Sequence, residues 1–193
     1  MKKLLPTVAI LLFSFYANCQ NKDYATLKVK ITYKAVDSLV IVSYKNPNFK
    51  KVIKVDQEGI LKDTLNVKSD KYYISNLTSL FPNGIYLNNG YDLKITVDTQ
   101  QAGKLPEFTG KGSVENEFVY TFAKNEEEFD YESLMQLDEI AFNKQIEKIR
   151  LNLFSSLDKK KYASDFVVYQ TAYLDNFIEM KTQAYKTISE ARQ

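Results

Sequence analysis

The chain has 193 residues, 45% of them hydrophobic and 13% aromatic, enough apolar material to pack the core of one moderate domain or two small ones. It carries no histidine and a single cysteine, Cys19, with 26 basic against 24 acidic residues. Without imidazole or a second thiol, Cys/His and Ser/His/Asp nucleophilic mechanisms, a CxxC redox pair and the usual zinc sets are excluded.

The first 19 residues differ from the rest. Lys2 and Lys3 form a basic start, residues 4–15 form an apolar run broken only by Pro6, Thr7 and Ser14, and small residues follow. This is the pattern of a secretory signal peptide over residues 1–19, too short to serve as a membrane-spanning anchor, and no later segment approaches 18 uninterrupted apolar residues. The chain is therefore expected to be exported, to the periplasm or the cell envelope. Cys19 admits two readings. Cleavage after it uses Ala17 and Cys19 as the small-residue pair and leaves Gln20 as the new terminus, whereas cleavage before it makes Cys19 the lipid-bearing residue of a lipoprotein. Asn18, immediately before the cysteine, is not the small residue that lipoprotein signals place there, which favours ordinary secretion. Membrane contact is expected only through such an anchor. Loss of the signal removes two lysines and leaves 24 charges of each sign, so no nucleic-acid footprint is expected. The halves still differ, with 13 Lys/Arg against 9 Asp/Glu over residues 20–110 and 11 against 15 over residues 111–193. Two ordinary solvated surfaces account for that asymmetry; the alternative is that it helps the halves dock or steers a partner.

From residue 26 the apolar spacing has period two. Leu27, Val29, Ile31 and Tyr33 fall on one face and Lys28, Lys30 and Thr32 on the other, which predicts a half-buried strand. Residues 38–44 form a more continuous apolar strand. After the turn Asn46-Pro47-Asn48, residues 49–55 and 60–67 flank Asp56-Gln57-Glu58-Gly59, whose turn chemistry predicts a hairpin. Residues 71–77, 85–87 and 91–98 follow, punctuated by Pro82-Asn83-Gly84 and Asn88-Asn89-Gly90. Short strands at regular spacing predict an antiparallel β-sandwich of seven or eight strands over residues 20–110.

The character changes at FTGKGSVENEF, residues 108–118. Two glycines around Lys111 suggest a phosphate loop, but the four-residue spacing before Gly-Lys-Ser/Thr is missing and the preceding pattern is not a buried parallel strand. The segment reads as a joint instead: a last short strand, flexible Gly110 and Gly112, and Ser113 as an N-cap accepting from the amide of Asn116. Residues 111–193 then form a helical segment of about three helices. Phe118 and Phe122 mark the first. Leu137, Ile140, Ala141, Ile146, Ile149 and Phe154 mark a second over residues 134–157, with Leu151 and Leu153 widening its apolar surface. Lys159-Lys160-Lys161 form a linker. Ser164 opens a third, in which Phe166, Tyr169, Tyr173, Phe177, Met180, Ala184, Tyr185 and Ile188 recur every three or four residues as a packing face. The fold class is α+β, strands first and helices after.

Little chemistry survives in these residues. Glu126, Glu127, Glu128, Asp130 and Glu132 lack the spacing of a calcium loop and read as a solvated helix end, and a carboxylate pair of glycosidase type has no signature here. No catalytic residue, metal site or cofactor is expected. Tyr72, Tyr73, Tyr86 and Tyr91, near the turns, are the candidate interaction surface.

The segments KVDQEGILKDTLNV, GIYLNNGYDLKITVD and FTGKGSVENEF, the last with Asn116 in an F-x-G-x-G-x-x-N element, resemble the N-terminal domain of TlpA-like thiol-disulfide oxidoreductases of Bacteroidetes. The resemblance covers residues 27–118 and continues loosely through the helices. It implies an accessory domain, because redox work in such proteins belongs to a downstream CxxC thioredoxin module, and it carries no catalytic residue over. Two functions remain open: a non-catalytic exported module that binds a protein or envelope component, or a truncated part of an oxidoreductase whose CxxC domain lies downstream or on another chain.

Overall fold

A computed structural model describes residues 22–33, 36–100, 104–127, 130–158 and 160–192. The expected signal peptide and Cys19 lie outside these residues. Eight strands come first: β1 (Ala25–Thr32), β2 (Ser38–Ser43), β3 (Lys50–Lys54), β4 (Ile60–Leu65), β5 (Asp70–Ile74), β6 (Ile85–Leu87), β7 (Asp92–Asp98) and β8 (Glu107–Lys111). Four helices follow: α1 (Ser113–Glu127), α2 (Tyr131–Met135), α3 (Glu139–Ser155) and α4 (Ser164–Glu190). The chain is thus α+β with strands before helices, as expected. The strands form two four-stranded sheets, ordered β4-β1-β7-β8 and β3-β2-β5-β6.

Alternation decides which side of each strand is buried. In β1, Ala25, Leu27, Val29 and Ile31 point into the core, and their neighbours point away. Tyr33, expected on the same face, lies beyond the strand with φ 60° and is exposed. In the second sheet Leu39, Ile41, Ile53 and Ile74 face inward, and they join the residues of β1, β4 and β7 in a single apolar cluster.

Three expectations are corrected. The sheets are not wholly antiparallel, because β1 and β7 pair in parallel from Thr26↔Asp92 to Thr32↔Asp98. The turn Asp56–Gly59 forms, with the Asp56 carboxylate accepting from the amides of Glu58 and Ile60, yet it closes no hairpin ladder. β3 pairs with β2 while β4 pairs with β1, so the turn carries the chain from one sheet to the other. The same holds at Asn88-Asn89-Gly90, where β6 and β7 belong to different sheets. Turn chemistry specifies a reversal; which strand lies beside the next is set by burial of both faces. Finally, the second expected helix is two. Asp130 caps α2 by accepting from Ser133 N at 3.0 Å, and Asp138 caps α3 by accepting from Ala141 N at 2.8 Å. Each cap satisfies amides that a continuous helix would have used internally.

The joint after β8 is built as its glycines require. Gly110 has φ 84° and a Cβ there would stand 2.1 Å from the carbonyl oxygen of Asp92; Gly112 has φ 100° and a Cβ would stand 2.2 Å from the Tyr91 ring. Ser113 is not the cap: the amide of Asn116 donates to Gly112 O at 3.2 Å. α1 then lies against β6 and β8, one edge strand from each sheet, and so covers an open side of the core. Asn116 secures it. Its Oδ1 accepts from Tyr86 N at 2.9 Å, and its Nδ2 donates to Tyr86 O at 2.9 Å and to Gly112 O at 2.8 Å, pairing the edge of β6 as a further strand would.

Candidate functional site

Helix α4 has to be covered along its apolar stripe, and it meets two different surfaces. Near its start, Phe166 stands edge-on to Tyr86 of β6 at 4.9 Å and to Phe118 of α1 at 5.7 Å. Glu115, buried on α1, accepts from the amide of Ala163, the N-cap residue of α4, at 3.1 Å. Further along, Phe122 of α1 stands edge-on to Tyr173 and Phe177. The second half of α4 packs on α2 and α3, where Tyr185 stacks on Phe142 at 3.7 Å.

On the outer face of the second sheet, α4 covers β5 and β6; beyond them the outward residues Val40 and Val42 of β2 are half-buried and those of β3 are exposed. Lys71, buried on β5, places its ammonium 3.6 Å from the ring centre of Tyr173, and Tyr86 beside it packs at 5.4 Å against Tyr169. Val40 and Val52, paired across β2 and β3, lie on that outer face, with Val52 exposed. Beside α4, where the loops after β2 and before β5 approach it, lies a cleft of about 620 Å³, walled by Tyr44, Tyr169, Tyr173 and Val168 and edged by Asp165 and Asn176. Tyr44 is 72% exposed, with its ring 6.0 Å from Tyr73.

Lys45 stands at one end of the cleft. Its ammonium lies 4.7 Å above the ring of Tyr169 and 3.6 Å from the carboxylate of Asp70. Asp70 is buried, accepting also from its neighbour's amide at Lys71 and from Ser43 Oγ. Beyond Lys45 a second cavity of about 480 Å³ opens, lined by Phe49, Tyr72, Asn46, Asn66 and Lys68; Lys45 and Ser69 line both. Asp165, in the first turn of α4, accepts from Asn88 Nδ2 at 3.1 Å. Burial raises the phenol of Tyr86 to about 12, even though the Ser69 hydroxyl bonded to it opposes the shift; nearby carboxylates, Asp165 first, add to the rise. Burial likewise raises Tyr169, with the Asp70 charge second. These phenols stay neutral and act as hydrogen-bonding, ring-bearing groups.

Of the four tyrosines expected at a surface, three are interior. Tyr72 packs edge-on to Phe49 at 5.2 Å and donates to Lys68 O; Tyr86 is 0% exposed; Tyr91 lies under Gly112, its phenol raised by burial and by Glu115. Tyr73 alone is half-buried at the outer face, behind Tyr44. Of the turns near these residues only Pro82 and Asn89 are exposed, and period-two alternation turns the rings themselves inward or under α4. Sequence reading missed Tyr44, Lys45 and Asn176, and took Tyr169 and Tyr173 for packing alone. One signal was available: residues 38–44 are apolar at successive positions, so the strand has a second apolar face that needs a cover, and Tyr44 ends it.

Among the described residues no group of three Asp, Glu or Cys could hold a metal ion, and no helix is long and apolar enough to cross a membrane. The site defines a class: an α+β protein with an open, tyrosine-walled cleft beside a helix. Comparison with protein-family models, curated proteins and solved structures yields no match to this chain.

Proposed function

We propose that the chain is a non-catalytic, exported binding module of the bacterial cell envelope, a β-sandwich carrying a helical arm, similar in role to the accessory domain of TlpA-like oxidoreductases. The observation that carries this reading is the cleft between α4 and the segments that follow β2 and precede β5: it is open to solvent, aromatic, and edged by short polar groups. Its acids are engaged elsewhere, Asp70 with Lys45 and Asp165 with Asn88, which suits holding a ligand more than transferring a proton to it. The resembling element FTGKGSVENEF supports the same reading, since Gly110, Gly112 and Asn116 all act in backbone geometry.

Fractionation of cells producing the full chain tests it. The mature form is expected in the periplasm or envelope with a mass that begins at Gln20, or at a diacylglyceryl Cys19 if a lipoprotein peptidase acts. A cytoplasmic chain that keeps residues 1–19 overturns the export reading. Reduction of insulin disulfides by the purified protein alone overturns the non-catalytic reading.

A further inference from the structure

We propose that the cleft around Lys45 binds a neutral, extended saccharide. The inference deepens the binding-module reading by naming the ligand class, and four features of the site select it.

Charge comes first. The two cavities that meet at Lys45 are lined by two lysines, Lys45 and Lys68, and two aspartates, Asp70 and Asp165. A lining so balanced offers no net attraction to an anionic or a cationic ligand. Second, the aromatic walls do not form a vacant cation cage, because the chain's own ammonium groups already stand over two of the rings, Lys45 over Tyr169 and Lys71 over Tyr173. Third, the site does not add a peptide strand. β2 is hydrogen-bonded on both sides, to β3 and to β5, so no row of free backbone donors and acceptors faces the cleft. What remains is the fourth feature: an exposed flat ring at Tyr44, further phenols at Tyr169 and Tyr173, and short neutral hydrogen-bonding side chains along the trough, Asn176 on the helix, Ser69 just before β5, and Asn46 and Asn66 beyond Lys45. The C–H face of a pyranose stacks on the open ring of Tyr44, and its hydroxyls exchange bonds with amides and hydroxyls at no cost in buried charge. Two cavities sharing Lys45 and Ser69 suit a chain of several rings better than a single sugar.

Titration calorimetry of the purified protein with maltohexaose, cellohexaose and chitohexaose, each beside its disaccharide, tests this. At least one hexasaccharide is expected to bind saturably, and at least about tenfold more tightly than its disaccharide. Tyr44→Ala is expected to weaken that binding about tenfold, one stacked ring's worth. Because Tyr44 is mostly exposed, the thermal midpoint should not move. Ile140→Ser, at the far end of the molecule, should leave binding unchanged. Absence of saturable binding to all three hexasaccharides, equal binding by Tyr44→Ala, or preferential binding of tetramethylammonium overturns the inference. An exported protein that binds no saccharide breaks this inference alone; a saccharide-binding protein retained in the cytoplasm breaks the export reading alone.

Discussion

Helix α4 runs over two surfaces with one repeating apolar pattern, and the two halves are held in different ways. In the first half, Phe166 and Val167 belong to the large cluster that contains both sheets, and Phe166 sits between the rings of Tyr86 and Phe118. In the second half, Tyr185 joins only Leu134, Phe142, Ile146 and Ile149 among buried residues, secured by one ring stack and by its hydroxyl donating to Leu137 O at 3.0 Å. Around that small cluster Ile140 is 84% exposed and Leu151 and Met180 are largely exposed as well. Helical periodicity is therefore continuous where burial is not. A sheet offers the helix a wide, fixed floor, while α2 and α3 offer a narrow one, and the free energy needed to open each half should differ accordingly.

The comparison is broken most strongly at the aromatic pair. Phe166→Ala should cost about 4 kcal/mol and lower the urea midpoint of the whole protein, since its cavity opens in the main core. Phe142→Ala removes a ring of similar size, yet its loss should stay local: hydrogen exchange is expected to accelerate in α3 and the end of α4 while β1 and β7 keep their protection. Equal acceleration in all of these would mean that the two clusters unfold as one.

Asn116→Ala should cost about 3 kcal/mol, because it leaves buried backbone groups of Tyr86 and Gly112 without partners and detaches α1 from β6. Equilibrium unfolding in urea reads this directly, and a loss within error of an exposed alanine substitution would refute the clamp. A pH titration sharpens the contrast from another side. Tyr86 has a folded-state value near 12 against an ordinary 10.0, so the folded form holds its proton more tightly than the unfolded chain. Its contribution to stability is complete below pH 10 and is lost as pH climbs from 10 through 12. The thermal midpoint should fall across that window, and Tyr86→Phe should make the fall shallower. The smallest effect is expected at the helical end: Asp138→Ala removes the α3 cap and should cost about 1 kcal/mol, visible as faster exchange of the first amides of α3.

Much of the order of elements was legible in the residues. The alternation of Leu27, Val29 and Ile31 located β1 and its buried face, and the joint at FTGKGSVENEF was recognisable because its glycines lie at positions where no side chain fits. Strand partners were not legible. Asp56–Gly59 and Asn88–Gly90 carry the residues of tight turns, but a turn prescribes the path of four residues and is silent on whether the next strand stays in the same sheet. The break between α2 and α3 was readable in principle from Asp138 three residues before Ala141, a cap signal concealed by the continuous apolar spacing around it. The cleft could not be read at all, because Tyr44, Asn176 and Ser69 lie far apart along the chain and meet only where α4 passes the loops after β2 and before β5.

The residues by themselves determined which segments extend and which coil, because side-chain periodicity and backbone freedom are local properties. They also removed imidazole and all but one thiol from the chemistry open to this chain. Tertiary structure alone decided that β1 and β7 lie parallel, that Tyr72, Tyr86 and Tyr91 are interior, and that Tyr44 and Asn176 line one cleft. Those outcomes depend on how apolar faces distant in sequence compete for the same partner, a competition resolved by the packing of the whole chain and not by any stretch of it.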